Sequence, residues 1–173
     1  MNMKHSFLCL VLLLAGISHN ALAQTKTEQP GSPLQVGGYF GVLHPVATLQ
    51  SGAVKMNFDN SYTVGFVAGI NIQKNLKYGY TFEIIPVIEA TSQTSKVKSL
   101  VFQPGIYFPL KKGWRMINRF SFETTGRYGI TPAVSKTLLR RNHPVALIVP
   151  IPLRFGNAQD FSAGAAILVT IGM

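Results

Sequence analysis

The sequence predicts an all-β fold, an eight-stranded antiparallel up-and-down transmembrane β-barrel after an N-terminal signal peptide. Three observations lead there. Apolar residues recur with a period of two along eight stretches beyond residue 34. The chain opens on a short basic and then apolar leader. Charged residues are only 13% of the chain while mean hydropathy is +0.23, a pairing that suits lipid better than water.

The leader comes first. Met1 to Ser6 carries Lys4 and His5, Phe7 to Ile17 is almost wholly apolar, and Ala21-Leu22-Ala23 is a small-x-small cleavage pattern. Residues 1–23 therefore read as a secretory signal peptide, because an apolar run of roughly 11 residues falls short of the ~20 that a spanning helix needs. Cys9, the one cysteine, lies in that run, which leaves the exported chain without a disulfide or a thiolate metal site. Residues 24–33, with Pro30, Gly31 and Pro33, read as a flexible lead-in, and 34–173 as one barrel domain. A domain of that size needs no covalent staple.

The strands follow in order at about 35–46, 61–73, 77–90, 97–109, 114–125, 128–139, 145–156 and 161–173. In the first, Val36, Phe40, Val42 and Val46 share a face. In the second, Tyr62, Val64, Phe66, Ala68, Ile70 and Ile72 alternate with small or polar residues. Tyr78, Tyr80, Phe82, Ile84, Pro86 and Ile88 face away from Lys77, Thr81, Glu83 and Glu89 in the third. Leu100, Phe102, Pro104, Ile106 and Phe108 repeat the pattern, as do Phe120 and Phe122, and then Val145, Leu147, Val149, Ile151, Leu153 and Phe155. The pattern blurs over 128–139 and is clearest at the end, where Phe161, Ala163, Ala165, Ile167, Val169, Ile171 and Met173 form an unbroken apolar face. Eight is an even number, as single-chain outer-membrane barrels use, and each stretch reaches the ~9–11 tilted residues that cross a bilayer.

With the N-terminus in the periplasm, odd-numbered connections become outer loops and even-numbered ones inner turns. Ala47 to Asn60 is then a long outer loop, Lys74 to Leu76 a tight turn, Thr91 to Lys96 a loop and Leu110 to Gly113 a turn. Tyr39, Phe40, Tyr78, Tyr80, Tyr107, Phe108 and Trp114 fall at strand ends on the periplasmic side, and Tyr78, Tyr80, Tyr107, Phe108 and Trp114 are assigned to an aromatic interface rim. The face opposite the apolar one holds Glu83, Glu89, Arg115, Arg119, Glu123 and Arg154, which are expected to form a charge network in the lumen, with Glu83 and Arg119 as its core pair. A charge facing lipid at mid-membrane costs roughly 2–4 kcal/mol, whereas inside a barrel it can be paired. An eight-stranded barrel is only wide enough for its own side chains, so the network is expected to plug the bore.

The terminal strand from Phe161 to Met173, the stretch Gly126-Arg127-Tyr128-Gly129 and the run Val149-Pro150-Ile151-Pro152-Leu153-Arg154-Phe155-Gly156 resemble the small outer-membrane β-barrel domain proteins of Bacteroidota. The resemblance implies a barrel of the OmpA or OmpX type. It also implies that Phe161, Val169, Ile171 and Met173 on the last strand form the signal read by the barrel-assembly machinery, with Met173 where such proteins usually end in an aromatic residue.

Other signals are weaker. Pro86, Pro104, Pro150 and Pro152 fall inside the expected strands, where each removes a ladder hydrogen bond, so irregular pairing is expected there. His44 and His143, the two histidines beyond the leader, have no acid at a telling spacing, so no catalytic residue, metal site or cofactor is expected. Lys111 and Lys112 read as a solvated basic turn. Removing Lys4 with the leader leaves 15 Lys and Arg against 6 Asp and Glu, a net of +9, for which the anionic lipid of the envelope is the expected counter-charge in preference to nucleic acid. The expected partners are outer-membrane lipid and the assembly machinery, the expected state a monomer, and the expected location the cell outer membrane. Three roles remain open: a non-enzymatic structural or surface-interaction protein acting through Ala47 to Asn60, a small pore or uptake channel, and an exported soluble barrel for a lipophilic ligand. A lipid-modifying enzyme is disfavoured because no triad is visible.

Overall fold

The computed structural model of the chain describes residues 34–59 and 61–173. The signal peptide read over 1–23 and the lead-in of 24–33 lie outside the described residues. Ten strands follow one another: β1 (Gln35–Gln50), β2 (Ala53–Met56), β3 (Tyr62–Gln73), β4 (Gly79–Ala90), β5 (Ser95–Pro109), β6 (Trp114–Glu123), β7 (Tyr128–Leu139), β8 (Val145–Pro150), β9 (Leu153–Phe155) and β10 (Ser162–Gly172). A single 3₁₀ turn at Lys111–Gly113 is the only helical element described.

Every neighbour pairs antiparallel, and β10 returns to β1 from Tyr39↔Gly172 to Gln50↔Ser162. The sheet is therefore a closed, eight-stave, up-and-down barrel, in which β8 and β9 make up one interrupted stave between β7 and β10 and β2 is an added hairpin arm on β1. Closure satisfies both edges of the sheet, which an open sheet of this size would leave exposed. The two ends of the barrel differ. The terminus end holds the start of β1, the end of β10 and the turns 74–78, 110–113 and 140–144, while the hairpin end holds the β1–β2 arm and the connections 91–94, 124–127 and 156–161.

The period of two decides which side chains fill the bore. Val67, Thr81, Glu83, Ile85, Val101, Gln103, Ile117, Arg119, Ser121, Thr131, Ile148 and Leu168 are buried, whereas Phe40, Phe66, Ile70, Phe82, Phe120, Phe122, Ile130, Val149, Ile167, Val169 and Ile171 on the alternate parity are exposed. The interior thus combines an apolar cluster, including Val67, Ile85, Val101, Ile117, Ile148 and Leu168, with buried polar and charged groups, while large apolar side chains cover the exterior. The blurred stretch 128–139 is an ordinary stave, β7, with Thr131, Ala133 and Ser135 inward.

The aromatic rim needs one correction. Tyr107 is only 3% exposed and points into the bore, as Tyr39 does. Successive residues of a strand face opposite ways, so Tyr107 and Phe108 cannot both lie on the outer surface. The ring of Tyr107 fits over Gly79, where an added Cβ would come within 2.4 Å of Cζ, and the ring of Tyr39 fits over Gly69, where it would come within 2.2 Å. Glycine at both positions makes room for an inward ring. Tyr78, Tyr80, Phe108 and Trp114 are outward at the terminus end.

The prolines disturb the ladder where pairing was expected to fail. The β3–β4 register lapses between Gly65↔Val87 and Ala68↔Ile84, around Pro86, and a bulge follows at Val87/Ile88. The β5–β6 register skips from Phe102↔Phe122 to Gly105↔Arg119 across Pro104. Pro150 and Pro152 split the seventh expected strand into β8 and β9, yet Ile151 still donates to Pro132 at 2.9 Å and Pro152 accepts from Gly164 at 2.8 Å. A second correction concerns the first loop. Residues 47–50 continue β1, paired to both β10 and β2, so much of the expected Ala47–Asn60 loop is a β-hairpin.

Candidate functional site

The groups with chemistry meet in the bore. Glu83 on β4 is fully buried and receives Arg119 of β6 through Nη2 at 2.8 Å. Tyr39 Oη on β1 donates to the same Glu83 oxygen at 2.6 Å, and Arg119 Nη2 also reaches Tyr39 Oη at 3.4 Å. With its proton directed to Glu83, Tyr39 Oη accepts from Thr81 Oγ1 at 3.1 Å. In the ring of eight staves β1 and β6 stand opposite one another, so the Tyr39–Arg119 contact bridges the full width of the lumen.

Gln103 on β5 extends this layer toward the hairpin end. Only one orientation of its amide gives each end a suitable partner. The nitrogen then donates to Glu83 Oε2 at 3.1 Å, while the oxygen accepts from Ser121 Oγ at 2.8 Å and Arg154 Nη2 at 3.2 Å. Arg154 in turn bonds Glu123 Oε1 through Nε at 2.7 Å and Thr131 Oγ1 through Nη1 at 3.0 Å. Two ion pairs on three staves, β4, β6 and the β8–β9 stave, are thereby joined through one amide on β5. Buried charge is tolerated where it is both paired and hydrogen-bonded, and the layer meets both conditions except at Arg119 Nε, which is buried without an acceptor.

Of the six charges expected to form the network, Glu83, Arg119, Glu123 and Arg154 are brought together. Glu89 pairs instead with Lys98 at 2.5 Å near the hairpin end. Arg115 stands apart: its guanidinium lies 5.3 Å from the centre of the Tyr107 ring, and no carboxylate among the described residues is within ion-pair distance. The Tyr107 hydroxyl donates to Gln73 Oε1 at 3.0 Å. Sequence reasoning missed Tyr39, Thr81 and Gln103 as members of the layer, although their parity with Glu83 and Arg119 was readable.

The layer divides the lumen into two chambers. On the hairpin side a space of about 570 Å³ is bordered by Leu43, Ile85, Leu168, Glu123, Arg127 and Arg154. On the terminus side a space of about 290 Å³ is bordered by Tyr39, Asn71, Tyr107, Arg115, Ser135 and Thr137, and Arg119 touches both. Phe161, Val169, Ile171 and Met173, expected as an assembly signal, all lie exposed on the outer face of the last stave. Among the described residues no three His, Cys, Asp or Glu side chains gather as they would to hold a metal ion. No family model matches this chain, and neither a curated protein nor a solved structure gives a significant match.

Proposed function

We propose that this chain is an integral outer-membrane β-barrel protein, non-enzymatic, whose lumen is closed and whose role is structural or one of surface interaction. The observation that supports the reading is the inverted distribution of polarity: charged pairs are buried in the bore while large apolar side chains cover the outside. An apolar exterior of this extent is stable against acyl chains and a liability in water. The sequence likeness to small OmpA- or OmpX-type barrels agrees with it, as does the leader. The β1–β2 arm offers the surface for interaction, since Val54, Met56 and Phe58 stand exposed along and beside it.

An open pore is disfavoured because the Tyr39–Glu83–Arg119 bridge crosses the bore at its middle. A soluble barrel for a lipophilic ligand is disfavoured because the apolar outer face would then stand in water. The test is extraction and gel mobility. The protein is expected to stay in envelopes washed with alkaline carbonate and to migrate faster unboiled than boiled. Release into the wash, or identical mobility, overturns the membrane reading. Planar-bilayer recording is expected to give no steady conductance.

A further inference from the structure

The terminus-side chamber differs from every other part of the bore in the kind of charge it holds. Its charged side chains are those of Arg115 and Arg119, and no Asp or Glu among the described residues borders it. Arg119 is engaged by Glu83, but its buried Nε has no acceptor. Arg115 is half-buried on β6 and donates no hydrogen bond to any described residue, so it presents its guanidinium to the chamber supported only by the face of Tyr107. Its other polar walls include Asn71, Ser135, Thr137 and Thr170, hydrogen-bonding groups able to donate to an oxyanion, together with Gln35, Gln73 and Thr81.

The mouth of the chamber has the same sign. The turns at this end carry Lys74, Lys77, Lys111, Lys112, Arg140 and Arg141, and Lys136 lies at the end of β7; no Asp or Glu among the described residues falls there. Two of these cations are held at the 110–113 turn. Lys136 Nζ donates to the Lys112 carbonyl at 2.8 Å and lies 4.9 Å from the centre of the Trp114 ring, and a Cβ on Gly113 would come within 2.7 Å of Arg140 Nη2. A cleft lined by one sign of charge concentrates counter-ions and speeds their entry.

We infer that the terminus-side chamber is a binding site for a phosphate-bearing ligand, with Arg115 as the group that grips the phosphoryl oxygens and the lysine and arginine collar as its electrostatic funnel. A guanidinium presents paired N–H donors that match the oxygens of phosphate, which a lysine cannot do bidentately. A chamber of about 290 Å³ admits a phosphate ester with a small polar substituent and excludes a nucleic-acid strand. The phosphoryl group has two possible sources, a soluble phosphate ester or the headgroup of an anionic phospholipid. Tyr78, Tyr80 and Trp114, exposed beside the collar, suit the second as well as the first. The site does not depend on the membrane reading, because its charge and volume are properties of the bore.

The experiment uses the full folded chain in a zwitterionic detergent and in vesicles. Glycerol phosphate is titrated calorimetrically, and thermal stability is compared in phosphatidylcholine vesicles with and without phosphatidylglycerol. Saturable one-to-one binding of glycerol phosphate identifies a soluble ester. Stabilisation by phosphatidylglycerol without it identifies a headgroup. In either case Arg115→Gln is expected to weaken the effect at least tenfold, Arg115→Lys to weaken it less, and the pair Lys111→Gln with Lys112→Gln to lower affinity severalfold and flatten its dependence on salt. Folding of each variant is read from its unboiled gel mobility, and the collar pair lies outside the strands, so it tests the funnel even where Arg115→Gln fails to fold. Absence of both effects in the parent protein, or an Arg115→Gln protein that binds as the parent does, overturns the inference.

Discussion

The two halves of the bore are built on the same staves and yet treat charge in opposite ways. Toward the hairpin end Arg119, Arg154 and Lys98 each meet a carboxylate, at 2.8, 2.7 and 2.5 Å, and Gln103 couples two of these pairs. Toward the terminus end Arg115 meets only an aromatic face, and the turns beyond it add cations alone. The first half pairs most of its buried charge internally, with Arg127 held by backbone carbonyls and Ser162 instead of a carboxylate, and so contributes to holding the barrel together. The second leaves its charge uncompensated, which costs stability and keeps a donor available. The lesson is that alternation fixes where a charge points, while its partner on a neighbouring stave decides whether it acts as structure or as a site.

The largest effect is expected from breaking the neutralised half. Glu83→Ala leaves Arg119 buried without its partner and should cost about 3–5 kcal/mol, measured by urea unfolding in detergent micelles. The same substitution should admit measurable conductance in planar bilayers; none would mean that Tyr39 and Arg119 close the bore unaided. Replacing both members, Glu83→Gln with Arg119→Met, is expected to recover most of the lost stability, and a double variant no better than the single one would assign the effect to packing.

A smaller effect tests the rings that stand between the halves. Gly69→Ala or Gly79→Ala places a methyl group inside the contact distance of Tyr39 or Tyr107. Overpacking of this kind typically costs about 1–3 kcal/mol. Rescue of Gly69→Ala by Tyr39→Phe would not be expected, because the clash involves the ring as well as the hydroxyl. Near the hairpin rim, Glu89→Gln removes a pair whose lysine is half exposed, so a loss below about 1 kcal/mol is expected, falling further as salt is raised.

The smallest effect, and the sharpest contrast, belongs to Arg115. With no carboxylate to lose, Arg115→Gln should change unfolding free energy by no more than about 0.5 kcal/mol. A cost comparable to that of Glu83→Ala would erase the distinction between the two halves.

Much of this was legible in the sequence because the period of two is a geometric property of the strand. The eight staves, the inward parity of Glu83, Arg119, Glu123 and Arg154, and the disturbances at Pro86, Pro104, Pro150 and Pro152 all follow from it. What was not legible is which inward residues meet. Tyr39 and Arg119 touch across the bore at a sequence separation of 80, and Gln103 joins pairs on other staves, distances that alternation does not encode. The inward turn of Tyr107 was available from its neighbours Ile106 and Phe108, but its aromatic character drew it to the rim. Lys111 and Lys112 look like a solvated turn when read locally. Their significance emerges when up-and-down topology brings the turns at 74–78, 110–113 and 140–144 to one end.

The pairing of β1 with β10 has a consequence in time. The stave that must meet β1 follows the other seven in the chain, so until it is in place the edge of β1 that faces β10 stays unmatched. Contacts between such distant parts of a chain form slowly, because the entropy of closing the intervening loop is lost before any contact is gained. A partly folded or truncated barrel therefore presents an adhesive edge rich in apolar side chains, and productive folding depends on its being shielded until Phe161 to Met173 close it.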